Sequence, residues 1–247
     1  MRNMLDLALI TLILPALFFL PEPCRASAEV ITRLPTSEKV VALTLDGCET
    51  KTPSFLDHTI LDFLVREKIP CTLFVSGKFA LRNSAELARV SKLGFIRIEN
   101  HSMSHHQHME KLDSGCFVAE VKESEKIITE ITGIRPTLFR FPAGNYDRRS
   151  LEAVESLGYQ VVHWTFASGD PSRDMTAKGL SRWVLSQTKP GDILIFHING
   201  RGYHTGEALP HIVEELKKKG FTFVSLGDFG PVEPPSAGRA RMEARTL

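Results

Sequence analysis

The chain lacks a charge excess. Its 247 residues carry 30 Lys and Arg against 29 Asp and Glu, a formal net charge of +1. A general nucleic-acid binder would show a basic surplus, and a disordered chain would combine high net charge with little apolar content. With 43% hydrophobic residues, neither class fits, and a globular domain with a sizeable core is expected. No repeat recurs at a fixed period. Cysteine is scarce, with Cys24, Cys48, Cys71 and Cys116 alone in the chain.

There is one long apolar run, residues 5–20, and no basic stop-transfer cluster follows it. It lies after Arg2 and before the breakers Pro21, Glu22 and Pro23, which lead into Ala26-Ser27-Ala28. A charged start, an apolar segment and a small-residue site predict a secretory signal peptide over residues 1–28. Cys24 would leave with it. Its neighbours are not the small residues that a lipoprotein peptidase requires, so no lipid anchor is expected there. A secreted or periplasmic protein is therefore expected, with no stable membrane insertion after cleavage and no nucleic-acid partner. The three remaining cysteines permit at most one internal pair.

Beyond the leader, short apolar runs alternate with stretches of helical spacing. The runs cover residues 40–45, 71–75, 95–98, 137–141, 160–166, 193–196 and 221–226. Between them lie patterns such as Ile60, Leu61, Leu64, Val65, or Val118, Val121, Ile127, Ile128, Ile131. Strands alternating with helices predict βαβ units and a parallel sheet. A barrel is favoured over an open sheet because Asp46, His101, Arg140, Asp170 and His197 all fall at or after the C-terminal ends of different strands. In a barrel those ends share one mouth, whereas an open sheet would spread some of them away from its crevice. The expected organisation is a single α/β domain, a distorted (β/α)7 barrel over residues 29–229. A tail over residues 230–247, rich in Pro, Ala and Arg, reads as disordered.

Several segments carry chemistry. In Asn100-His101-Ser102-Met103-Ser104-His105, two imidazoles four apart can reach one metal ion. A zinc-protease reading fails, because Ser102 stands where that chemistry needs a Glu after the first His. Thr44-Leu45-Asp46 ends an apolar strand with a carboxylate, Arg140-Phe141-Pro142-Ala143-Gly144 offers a guanidinium, and Ile195-Phe196-His197 ends a strand with an imidazole.

This ordered set resembles the polysaccharide deacetylases of carbohydrate esterase family 4, over roughly residues 40–226. The family's motifs run Thr-Phe-Asp-Asp-Gly, Asn-His-(Ser/Thr)-x-x-His, Arg-x-Pro-x-Gly, a Trp and Asp segment, and Leu-x-His. The resemblance implies a seven-stranded (β/α) barrel that removes N-acetyl, or O-acetyl, groups from an acetylated glycan outside the cytoplasm. Peptidoglycan, chitin-like oligomers and exopolysaccharide are the substrate classes implied. His101 and His105 would bind a divalent metal, zinc first, with cobalt, nickel and manganese as alternatives. Asp46 would be the general base and Arg140 its partner. His197 would be the general acid, held by Asp170. Trp164, Phe166 and Pro142 would form the substrate-binding wall.

One motif departs from the pattern. Gly47 replaces the family's second, metal-binding Asp, and Cys48 and Glu49 follow it. Leu45-Asp46-Gly47-Cys48, with the later Asp57, is similar to a subgroup whose first motif is Asp-x-Cys. Asp46, Glu49 and Asp57 are the candidates for a third ligand, Asp57 also reading as an N-cap of a helix over 58–66. Cys48 reads as a packing residue. Gly47 opens an alternative, a carbohydrate-binding pseudoenzyme that has lost turnover. The near-neutral composition fits a largely uncharged glycan as ligand.

Overall fold

The computed structural model describes residues 29–228; the expected signal peptide and the expected tail over residues 230–247 lie outside them. Seven parallel strands form one sheet: β1 (Val40–Gly47), β2 (Cys71–Val75), β3 (Ile96–Asn100), β4 (Leu138–Phe139), β5 (Gln160–Val161), β6 (Ile193–His197) and β7 (Thr222–Val224). Seven helices alternate with them: α1 (His58–Arg66), α2 (Gly77–Arg82), α3 (Ser84–Val90), α4 (Ser114–Thr132), α5 (Arg148–Ser156), α6 (Ala177–Gln187) and α7 (Thr205–Lys218).

The spatial order is β5-β4-β3-β2-β1-β6, with β7 paired to the start of β1. Between β5 and β6 there is no strand ladder. Isolated bridges from Ile31 to Val162 and from Phe166 to Leu194 span that gap, which makes the barrel distorted. The seven predicted runs are the seven strands. Two are much shorter than their apolar runs. β4 stops at Phe139, just ahead of a 3-10 turn at Pro142–Gly144 in which Ala143 adopts a left-handed φ of 54°. β5 stops at Val161, and a bend at Thr165 interrupts the apolar run expected over residues 160–166.

β1 is buried along its whole length, as a central parallel strand covered on both faces must be. Its alternation sorts the two faces. Val41, Leu43 and Leu45 pack toward the helices, in a cluster with Ile60, Leu61 and Leu64 of α1 and Leu209, Ile212 and Val213 of α7. Val40 and Ala42 face the barrel interior with Phe74, Val162 and Ile193. Thr44 and Asp46 continue that inner row, so a period of two puts the carboxylate inside the barrel at its C-terminal mouth.

Candidate active site

Asp46 and His197 are cross-strand neighbours in the β1–β6 register. Both line one cleft, together with His105, Trp164, Asp170 and Arg201.

On one side stands the Asp46–Arg140 pair. Arg140 Nη1 donates to Asp46 Oδ1 at 2.7 Å and to Thr44 Oγ1 at 2.9 Å. The guanidinium also donates to the carbonyls of Val162 (3.3 Å) and His163 (2.9 Å) and lies 4.1 Å from the Phe74 ring centroid. At 0% exposure it cannot be the surface charge that sequence alone would allow. A buried cation of this kind persists only because its donors are satisfied and a carboxylate faces it. Burial alone would raise the Asp46 pKa, but the charges of Arg140, His101 and His197 outweigh it and hold the carboxyl below its usual range.

The histidine loop follows β3. His101 is 1% exposed; its Nδ1 meets the Arg140 carbonyl at 2.8 Å, and its Nε2 is 3.6 Å from Asp46 Oδ2. Bonding at Nδ1 leaves Nε2 free to act as a ligand or acceptor, the usual arrangement behind a metal-binding imidazole. The His105 ring centroid is 4.9 Å from that of His101, and its Nδ1 is buried with no partner among the described residues. Ser102 and His105 both take positive φ, 67° and 55°, and a loop strained in this way must be fixed from outside. Glu120 of α4 does so by accepting the Met103 and Ser104 amides at 3.1 and 2.9 Å, while Ser102 Oγ accepts the His105 amide. Burial lowers the pKa of both imidazoles, His105 to about 3, where the His101 charge adds to burial. Both are therefore neutral, lone-pair-bearing groups at physiological pH.

On the far side, His197 Nδ1 is 3.0 Å from Asp170 Oδ1. Asp170 is 1% exposed and fully engaged: it also accepts from the His197 amide (2.7 Å), Ser168 Oγ (2.9 Å) and Thr205 Oγ1 (2.8 Å). Burial opposes the imidazolium, but the hydrogen bond and charge of Asp170 prevail and raise the His197 pKa.

The donor set fits a divalent cation only in part. His101 and His105 offer two neutral imidazoles, one of them with an orphaned buried nitrogen, and Asp46 Oδ2 is the nearby oxygen. Among the described residues no group of three His, Cys, Asp or Glu stands in metal-holding geometry. Two of the three candidate third ligands are committed elsewhere. Glu49 forms a bidentate ion pair with Arg82, whose hydrogen bonds hold its carboxyl below the usual range, and it also accepts the Ser54 amide. Asp57 caps α1 by accepting the amides of Thr59 (2.9 Å) and Ile60 (3.4 Å). At Gly47 a Cβ would lie 2.6 Å from Phe79 Cε1, so the ring of Phe79 fills the room that a side chain there would need.

The expected apolar wall is only partly where it was placed. Trp164 lines the cleft, packed so closely on Gly144 that a Cβ there would lie 2.9 Å from its Cη2. Phe166 does not line it. The bend at Thr165 turns it away, and its ring meets Trp183 of α6 edge-on at 6.5 Å. Pro142 is the buried first residue of the turn, and Ala143 takes the place at the cleft wall that was expected of it. Sequence reasoning missed Thr44, Ser168 and Thr205, the hydroxyls that complete the two ion pairs, and Glu120. Thr44 and Ser168 each lie two residues before an acidic site residue, a weak signal for a shared orientation; Thr205 and Glu120 gave none. Cys48 and Cys71 are buried free thiols and Cys116 an exposed one.

A carboxylate with its guanidinium, an imidazole with its carboxylate and two histidines thus meet at the mouth of one (β/α) barrel. Residues 33–162 match the polysaccharide deacetylase family, and the chain belongs to that family. It is 32% identical over 207 residues to a peptidoglycan-N-acetylglucosamine deacetylase of Bacillus cereus, covering 81% of this chain and 92% of that one. It is also 32% identical over 198 residues to the peptidoglycan-N-acetylmuramic acid deacetylase of Bacillus subtilis, covering 78% and 72%. Among solved structures, a carbohydrate esterase family 4 pseudoenzyme from Bacillus anthracis superposes with a TM-score of 0.72 at 20% identity, covering 82% of this chain and 69% of that one.

Proposed function

We propose that the protein is a metal-dependent hydrolase that removes acetyl groups from the amino sugars of an extracytoplasmic polysaccharide. The observation that carries this reading is the pairing of two opposed ion pairs across one cleft, Asp46 with Arg140 and His197 with Asp170. Binding alone requires neither an ionised base locked by a buried guanidinium nor an imidazole held ready to donate a proton.

His101 and His105 would hold the ion, which when bound acidifies a water and polarises the acetyl carbonyl. Asp46 takes the proton of the attacking water through Oδ2, because Oδ1 is occupied by Arg140. His197 delivers a proton to the departing amine from the opposite wall, with Asp170 fixing its ring through Nδ1. Trp164 presents an apolar face against which the sugar or its acetyl group packs. With two protein nitrogens instead of the usual three protein ligands, an ion there would be held weakly.

A second reading is a glycan-binding protein without turnover. One observation favours it: Phe79 fills the room beside Gly47, where the family carries a further carboxylate. The two readings separate in one experiment. Protein freed of its expected leader is assayed for acetate release from acetylated chitooligosaccharide and from peptidoglycan, with zinc, cobalt, nickel or manganese added and after chelation. Metal-stimulated, chelator-sensitive release that is lost in Asp46→Asn supports the enzyme. Glycan binding that survives chelation, with no acetate from any substrate under any metal, overturns it.

A further inference from the structure

The charges lining the cleft do not cancel. Asp46 is matched by Arg140 and Asp170 by His197. Arg201, on the loop between β6 and α7, is the remaining charged residue of the lining and has no carboxylate partner among the described residues. It is exposed; its side chain hydrogen-bonds that of Cys48, and its charge also bears on His105 and His197.

The backbone that carries Arg201 is fixed rather than loose. Before it, Asn199 Nδ2 donates to the Cys48 carbonyl at 2.6 Å, and Gly200 takes a φ of 76°. After it, Gly202 is pressed so closely on Asp170 and Thr205 that a Cβ would lie 2.6 Å from Asp170 Oδ2 and 2.3 Å from Thr205 Oγ1. The Tyr203 amide donates to the Asp170 carbonyl. The same Asp170 that orients His197 thus anchors the loop that presents Arg201. The backbone that presents Arg201 is therefore set relative to the acid–base pair.

We infer that Arg201 is a specificity-determining residue that selects acetylated glycans bearing a carboxylate close to the acetamido group being hydrolysed. This rests on the deacetylase reading and deepens it by naming the substrate class. A guanidinium with free donors at the rim of a cleft matches a planar carboxylate in two parallel hydrogen bonds, which a neutral sugar hydroxyl cannot reproduce. Net charge over the whole chain is close to zero, so the selection is local. Two sources of such a carboxylate exist: an ether-linked acid on the amino sugar itself, or a uronic acid on the neighbouring sugar.

The test compares three acetylated oligosaccharides of equal length: one carrying N-acetylmuramic acid, one alternating with a uronic acid, and the first with its carboxylate converted to the amide. Acetate release and calorimetric binding are measured for the wild type, Arg201→Gln and Arg201→Lys. Wild type should prefer a carboxylated oligosaccharide over its amide by about tenfold in kcat/KM, the size of a charge-assisted hydrogen bond at a wet site. The preference should reside in KM, since the contact is made equally in ground and transition states. Arg201→Gln should lose it, Arg201→Lys should keep part of it, and which acid is preferred identifies the source. If no substrate releases acetate, the deacetylase reading fails, and calorimetry still decides: carboxylate-selective binding abolished in Arg201→Gln upholds the role of Arg201. Equal affinity of wild type for acid and amide, or selectivity unchanged in Arg201→Gln, overturns it.

Discussion

Arg140 reaches Asp46 at 2.7 Å from a position with no solvent exposure, and three more of its N–H groups end on protein oxygens. The two charges are interdependent in a way that surface pairs are not. Asp46→Asn leaves a buried cation without its anion, and Arg140→Gln leaves a buried carboxylate without its cation. Each should destabilise the protein by about 3–5 kcal/mol in denaturant titration. If both variants melt with the wild type, the pair is not a buried, interdependent unit. Acetate release should fall by at least about 10²-fold in Asp46→Asn, as for loss of a general base.

The raised pKa of His197 sets a pH dependence with a definite sign. A folded-state pKa above the unfolded value contributes stability that is fully present below the unfolded pKa and is lost as pH rises through the folded one. The same protonation is what a general acid needs, so kcat/KM should decline on the alkaline side as His197 loses its proton. In Asp170→Asn the carboxylate that supports the imidazolium is gone, leaving burial to dominate, and the alkaline limb should move to lower pH. Following the His197 ring protons by NMR in both proteins checks this independently of turnover; an unmoved titration would rule it out.

Gly47 and Phe79 should behave as a coupled pair. Gly47→Ala drives a methyl group into the Phe79 ring and should cost about 1–3 kcal/mol through overpacking. Phe79→Ala should cost about 3–5 kcal/mol by leaving a cavity at a fully buried site. In the double variant the clash has nothing to meet, so the loss should be less than the sum of the two. Additive losses would mean that the side chains do not compete for the same room. Gly47→Asp combined with Phe79→Ala should also bind zinc more tightly than wild type, which calorimetry reads directly.

The three cysteines within the described residues should differ in reactivity. Burial pushes the Cys48 thiol up to about 11 and Cys71 up to about 12, while Cys116 is exposed at the start of α4. Iodoacetamide at neutral pH should therefore alkylate Cys116 and spare Cys48 and Cys71, as located by peptide mass spectrometry. Rapid modification of Cys48 in the native protein would show that the Asn199 loop opens.

Much of the fold was legible in the sequence because burial imposes periodicity. Seven apolar runs became seven strands, Asp57 became the cap of α1, and a two-residue period was enough to point Asp46 into the barrel. The motif residues Asp46, His101, His105, Arg140, Asp170 and His197 carry their chemistry in their identities, and their order along the chain carried the family. Other features depended on contacts between residues distant in sequence. That Arg140 is buried, that Phe79 fills the room beside Gly47 and that Glu49 pairs with Arg82 are all decided by which side chains the curved sheet and its helices bring together. Phe166 and Pro142 left the cleft because a bend and a left-handed turn, both set by tertiary packing, overrode the local pattern. Likewise, composition gave a net charge of +1 for the chain, but the uncompensated charge of Arg201 at the cleft could be found only in three dimensions, since ion pairing depends on distances that a sequence does not contain.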